Sequence, residues 1–87
     1  MSSVNNNLLK AIDLALANEW DAAHNIVQQY EGNDTASWIH AVLHKIEGDP
    51  TNSQYWYRRA GRMDHVADEP RAELAAIQNE LQPRRAV

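Results

Sequence analysis

His40 and His44 stand four residues apart, and Glu47 follows three further on. Residues at those spacings share one face of a helix, so the three side chains can touch one another. Two imidazoles and a carboxylate are a ligand set for a transition-metal ion with one coordination position left open. A zinc protease would carry a glutamate directly after the first histidine, and here that position is Ala41. The commoner role for such a pair is structural, with both rings packed against the next helix. Tyr55, Tyr57 or a backbone carbonyl would then satisfy the ring nitrogens. Histidines buried in the neutral form would make the fold sensitive to acid, because unfolding lets them take up protons.

Arg58, Arg59, Arg62 and Arg71 concentrate positive charge after Tyr55. Guanidinium forks bind carboxylates and phosphates in a bidentate manner, so this cluster could receive an anionic group. The plainer expectation is a solvated face paired with Asp64, Asp68, Glu69 or Glu73, each exposed pair contributing at most about 1 kcal/mol. Trp38, Trp56 and Tyr57 fall at helical spacing with Val42, Ile46 and Ala60, which reads as core and not as a cofactor box. Trp20 is left open between stapling a helix start and standing at an interface. Ser37, Thr51 and Ser53 have no evident setting as nucleophiles. The three glycines are scattered, so there is no phosphate-binding loop. No catalytic residue and no cofactor are expected.

The elements that must position these groups are helices. Asn5, Asn6 or Asn7 is expected to cap a first helix from Leu8 to about Ala17, apolar nearly all round. Asn18 is expected to cap a second, Glu19 to Tyr30, with Ala22, Ala23, Ile26, Val27 and Tyr30 inward and His24 on the wet face. A left-handed Gly32 ends it. Asp34 caps a third helix with the stripe Trp38, Ile39, Val42, Leu43 and Ile46, stopped by Gly48. Asp49-Pro50 restarts the chain with an acidic cap and a proline whose missing amide costs nothing there. The fourth helix turns Ser53, Trp56, Tyr57, Ala60 and Met63 to one face. A turn lies within 61–68. Asp68-Glu69-Pro70 opens a fifth helix with Leu74, Ile77 and Leu81 inward, ended by Pro83. No segment alternates as a strand would. The expected fold is one all-α domain over 1–87, about five helices in antiparallel hairpins, with 1–7 and 83–87 flexible.

Composition narrows the class. A chain of 87 residues buries a thin core, and 44% apolar residues suffice to fold it. Phenylalanine is absent, so every aromatic ring but histidine carries a polar handle. The absence of cysteine excludes disulfides and thiolate chemistry. A net charge of −4 argues against a general nucleic-acid binder. No apolar run nears the ~20 residues needed to span a bilayer, and the first residues do not read as a signal peptide, so a cytoplasmic location is expected.

A shift of about thirty residues lays the first helical pair on the second. Asn18-Glu19 falls on Gly48-Asp49, Ala11 on Ala41, Leu14 on His44, Ala23 on Ser53 and Val27 on Tyr57. Ala41, the Gly48-Asp49 turn, Ser53, Tyr57 and Ala60, with the run Tyr55 to Gly61, resemble a tetratricopeptide-type repeat. The resemblance spans about 8–62. Trp38 stands one place late for that family's tryptophan, His40 and His44 replace large apolar residues, and the period is short of thirty-four. The stretch from Trp38 to Gly61 is also similar to a segment of small uncharacterised bacterial helical proteins, which implies no activity. The tetratricopeptide resemblance implies a short α-α superhelix capped by the fifth helix. It also implies a non-enzymatic module that binds a protein partner or itself; from the charge and the short apolar runs, neither nucleic acid nor membrane is an expected partner. The candidate contact residues are Trp38, His40, His44, Tyr55, Arg58, Arg59 and Arg62. The alternative from another class is a small metal- or ligand-binding protein, with or without enzymatic activity, using His40, His44 and Glu47.

Overall fold

A computed structural model describes residues 3–82. The described residues are all-α: α1 (Ser3–Leu16), α2 (Trp20–Val27), α3 (Asp34–Glu47), α4 (Pro50–Ala60) and α5 (Pro70–Leu81), with short 3-10 turns at Gln28–Tyr30 and Met63–His65. Of the segments expected to be flexible, 1–2 and 83–87 lie outside the described residues, and 3–7 are helical.

α1 begins at Ser3, earlier than the asparagine run suggests. Its first turns are held by tertiary contacts: Val4 packs on the core, and the Asn7 side-chain amide donates to the Tyr30 hydroxyl at 2.7 Å. Tertiary packing outweighs the modest helix propensity of asparagine. Asn18 does not cap α2. It adopts a left-handed φ of 64° and ends α1, a conformation asparagine tolerates better than most residues. Gly32 is not left-handed, and the cap of α3 is Asn33, whose side chain accepts from the Ala36 amide at 2.9 Å; Asp34 follows in the first turn.

Gly48 (φ 84°) and Gly61 (φ 71°) end α3 and α4 in the left-handed region. Asp49 caps α4 ahead of Pro50, and Glu69 caps α5 ahead of Pro70 by accepting from the Arg71 and Ala72 amides. Three inward assignments fail. Ala22 is exposed, on the side of α2 away from the buried Ala23 and Val27. Ile46, at the end of α3, is 44% exposed, and Met63 leaves the α4 face because the chain turns at Gly61.

α3 is the central element, in contact with each of the other four helices and most extensively with α4. Ala41, fully buried, lets α4 approach closely enough for the Ser53 hydroxyl to donate to the Ala41 carbonyl at 2.8 Å. Positions thirty apart have matching surroundings. Ala11 and Ala41, Ala23 and Ser53, Val27 and Tyr57 are all buried. The two turns also match: the Glu19 amide donates to the Leu14 carbonyl and the Asp49 amide to the His44 carbonyl.

Candidate functional site

α3 presents His40 and His44 toward α2, and α2 presents His24 back. His24 sits between Ala23 and Val27, the two buried positions of α2, so the crossing of α2 on α3 carries it inward to half-buried. Its Nε2 lies 3.0 Å from Nε2 of His40, a hydrogen bond in which one ring donates and the other accepts. His44 completes the group: one ring nitrogen from each of the three histidines lies within 4.8 Å of the others.

Indoles hold two of these rings face-on. His40 stacks on Trp56 at 3.9 Å between ring centres, and His24 stacks on Trp20 at 4.7 Å. Trp20 is anchored in turn by its indole N–H, which donates to the Leu43 carbonyl at 2.6 Å. That contact ties α2 to α3. Nδ1 of His44 lies 2.6 Å from Oε1 of Glu47. An ionised carboxylate only accepts, so Nδ1 carries the hydrogen, and Nε2 is the nitrogen of His44 that a neutral ring offers as a lone pair.

Burial drives the protonation of this group. Desolvation pushes His40 down to about 3, helped by the neighbouring His24 and His44 and by Arg59. His24 is lowered as well, by burial first and by His44 second. Both rings are therefore neutral near pH 7, the form that ligates metals.

The ligand set read from the helix spacing is corrected here. His40, His44 and Glu47 do not converge as one group. Glu47 groups with His44 and Asp49, while His40 groups with His44 and His24. The ring nitrogens are not satisfied by the expected partners either. Tyr57 is turned to Glu73, and the Tyr55 hydroxyl accepts from Arg59. The sequence pattern hides His24, because its own helix reads as polar around it; its place beside Ala23 is the available signal.

Glu73 is a second group that sequence reasoning misplaces, as a surface partner for the arginines. It is 2% exposed. Its carboxylate accepts from the Trp38 indole at 2.7 Å, from the Tyr57 hydroxyl at 2.7 and 2.8 Å, and from the Lys45 ammonium at 2.8 Å. Burial and the Glu73 hydrogen bond raise the Tyr57 phenol, which therefore stays a donor. Trp38, a contact candidate by sequence, is thereby closed off as core.

The remaining candidates lie on α4 and just beyond it. Tyr55, Arg58 and Arg59 stand at the spacing of a single helical stripe, and Arg62 follows the left-handed Gly61 beyond the end of α4. Tyr55, Arg58 and Arg59 are exposed and Arg62 is half-buried. Arg59 lies over the rings of Tyr55 and Trp56, at 5.8 and 5.0 Å, and donates to the Glu31 carbonyl. Arg62 lies over Trp38 at 4.5 Å and reaches Glu80 at 3.7 Å. Among the described residues no carboxylate pairs with Arg58 or Arg59. The acids expected there are engaged elsewhere: Asp64 and Asp68 flank His65, and Glu69 caps α5. Arg71 leaves the cluster and donates to the Leu16 carbonyl.

Two surface hollows, of about 220 Å³ beside Lys45 and Pro50 and about 430 Å³ beside Asn18 and Trp20, have no histidine in their linings. The histidine group thus lies outside both. No helix is long and apolar enough to cross a membrane among the described residues. No protein-family model, curated protein or solved structure matches the chain.

Proposed function

We propose that this chain is a non-enzymatic binding module of the tetratricopeptide-like kind, whose exposed α4 face receives an acidic segment of a partner protein. The observation that carries the reading is the stripe Tyr55, Arg58, Arg59. It is exposed, aromatic and cationic, and its Arg58 and Arg59 guanidinium groups have no carboxylate partner among the described residues. Guanidinium groups left unneutralised on an acidic chain can take carboxylates from elsewhere, and arginine beside tyrosine is the composition that recurs at binding hot spots. Arg59 is already ordered by its stack on Trp56 and its hydrogen bonds, so less entropy is lost on binding. The small residues Ala41, Ser53 and Ala60 at the α3–α4 contact suit a repeat hairpin, in which binding surface is displayed on a rigid helical pair.

The test is a charge reversal. The double variant Arg58→Glu, Arg59→Glu should keep the helical circular dichroism and cooperative melting of the parent, with a midpoint lowered by loss of the Arg59 contacts to Trp56 and the Glu31 carbonyl. It should lose partner proteins that the parent retains on a column at low ionic strength, and those should elute from the parent as salt rises. Equal retention by parent and variant overturns the reading. Dimerisation of the parent that disappears in the variant would make a second copy the partner.

A further inference from the structure

We propose that His24, His40 and His44 form a binding site for a divalent late first-row transition ion, zinc being the best fit, with Glu47 as a positioning residue. The site's donor atoms come from α2 and α3, and it adjoins the α4 stripe through Trp56, which stacks on His40 and lies under Arg59.

The donor set comes from two packed helices, which gives it rigidity. His40 and His44 offer nitrogens from successive turns of α3, and His24 closes the triangle from α2. A tetrahedral zinc with Zn–N bonds of about 2.0–2.1 Å holds its ligand nitrogens roughly 3.3–3.4 Å apart. The two Nε2 atoms of His24 and His40 are already 3.0 Å apart, so they need open by only a few tenths of an ångström, while the ring that donates between them shifts its hydrogen to Nδ1 and frees its Nε2 lone pair. His44, whose ring lies nearly parallel to that of His40 at 4.9 Å, supplies the third nitrogen by rotating about its side-chain bonds.

The surroundings also suit a metal. Glu47 holds the Nδ1 hydrogen of His44 and so presents the Nε2 lone pair, the carboxylate–histidine arrangement that supports zinc ligands. Trp20 and Trp56 stack on the faces of His24 and His40, leaving the ring edges as the ligating parts. Neutral imidazoles with no thiolate among them favour zinc, copper or nickel over calcium or magnesium. Three protein ligands leave a fourth position for water. Asp21 and Glu47 bring negative charge toward His24, whereas Arg59 opposes the ion from the His40 side.

The experiment is a zinc titration by calorimetry of untagged full chain stripped with chelator, alongside a cobalt titration read by visible absorbance. The expected result is one saturable ion per chain, with cobalt bands of a four-coordinate nitrogen site. Quenching of tryptophan fluorescence by copper should report the indoles beside the rings. Glu47→Gln should keep the stoichiometry and weaken zinc by about 10–100-fold, as expected for loss of a supporting carboxylate. His24→Gln and His44→Gln should weaken it further. His65→Gln should bind as the parent does, which separates this site from the group of His65, Asp68 and Glu73, and loss of binding in His24→Gln separates it from the group of His44, Glu47 and Asp49. The titration turns on His24→Gln, because His24 is only half-buried and its replacement disturbs the core least, whereas His40 and His44 are buried. Absence of saturable binding in the parent overturns the proposal. So does zinc affinity unchanged in a folded His24→Gln variant, or lost in His65→Gln.

Discussion

Glu73 and His40 show opposite ways of burying a titratable side chain. Glu73 is surrounded by donors, and removing it would strand Lys45, Tyr57 and Trp38 without their acceptor. Breaking a buried pair by deleting one partner costs about 3–5 kcal/mol, so Glu73→Ala should lose that much in urea unfolding. Glu73→Gln keeps one acceptor oxygen and should lose less. A loss under about 1 kcal/mol in Glu73→Ala would mean water replaces the carboxylate. His40 is held neutral by burial. Its folded pKa, about 3, lies below the ordinary 6.5, so the unfolded chain takes up the proton first as pH falls. Stability is therefore lost from about pH 6.5 down toward 3, at up to about 1.4 kcal/mol per pH unit. His24 acts in the same direction. His65, raised chiefly by its hydrogen bond to Asp68, acts in the other: its contribution is full below 6.5 and fades as pH rises through the folded value. Urea midpoints measured with chelator present should fall between pH 7 and 4 and fall less steeply in His40→Gln; parallel profiles would rule out the burial argument.

The α3–α4 hairpin rests on one turn and one close contact. Gly48 has open space around the position a side chain would take, so the cost of substituting it is conformational. At φ 84°, Gly48→Ala should destabilise by about 1–2 kcal/mol, and the β-branched Gly48→Val by more. Ala41 is the opposite case. It is fully buried where the Ser53 hydroxyl reaches its carbonyl, so Ala41→Trp should drive α4 off α3 and abolish cooperative melting. A thermal melt of Ala41→Trp matching the parent would refute the packing described. Tertiary contacts likewise hold the early turns of α1: Val4 packs on the core and Asn7 bonds Tyr30, which no capping pattern announces.

Across the molecule, an acidic chain keeps Arg58 and Arg59 exposed on one face of α4 while burying histidines between α2 and α3. This separates the two proposed uses: a cationic face for an acidic partner, and an imidazole site for an ion. They meet at Arg59, whose charge opposes the ion from the His40 side, so the arginine reversal should change zinc affinity without removing the site. The arginine reversal should leave zinc stoichiometry at one per chain, and the histidine variants should leave salt-dependent partner retention intact. Native mass spectrometry of untagged protein reads both the subunit number and the retained ion, and loss of the ion in the arginine variant would show that the two surfaces are coupled.

The all-α class and the main breaks between helices were legible in the amino acids alone. Gly48-Asp49-Pro50 and Glu69-Pro70 act through local φ preferences and capping, so their effect is written in neighbouring residues, whereas the helical period carried α4 on to Met63 past its actual stop at Gly61. The inward places of Trp56, Tyr57, Leu74 and Ile77 followed from helical period for the same reason. The packing of helix on helix was needed to place His24, and not Glu47, with His40 and His44. It was needed as well to make Glu73 the buried acceptor of α3 and α4 side chains, and to bring Trp20 to Leu43. Those pairings join residues 16 to 35 positions apart, and helical period leaves the crossing of one helix on another undetermined. A polar side chain at the edge of an apolar stripe turns inward or outward according to what lies across from it.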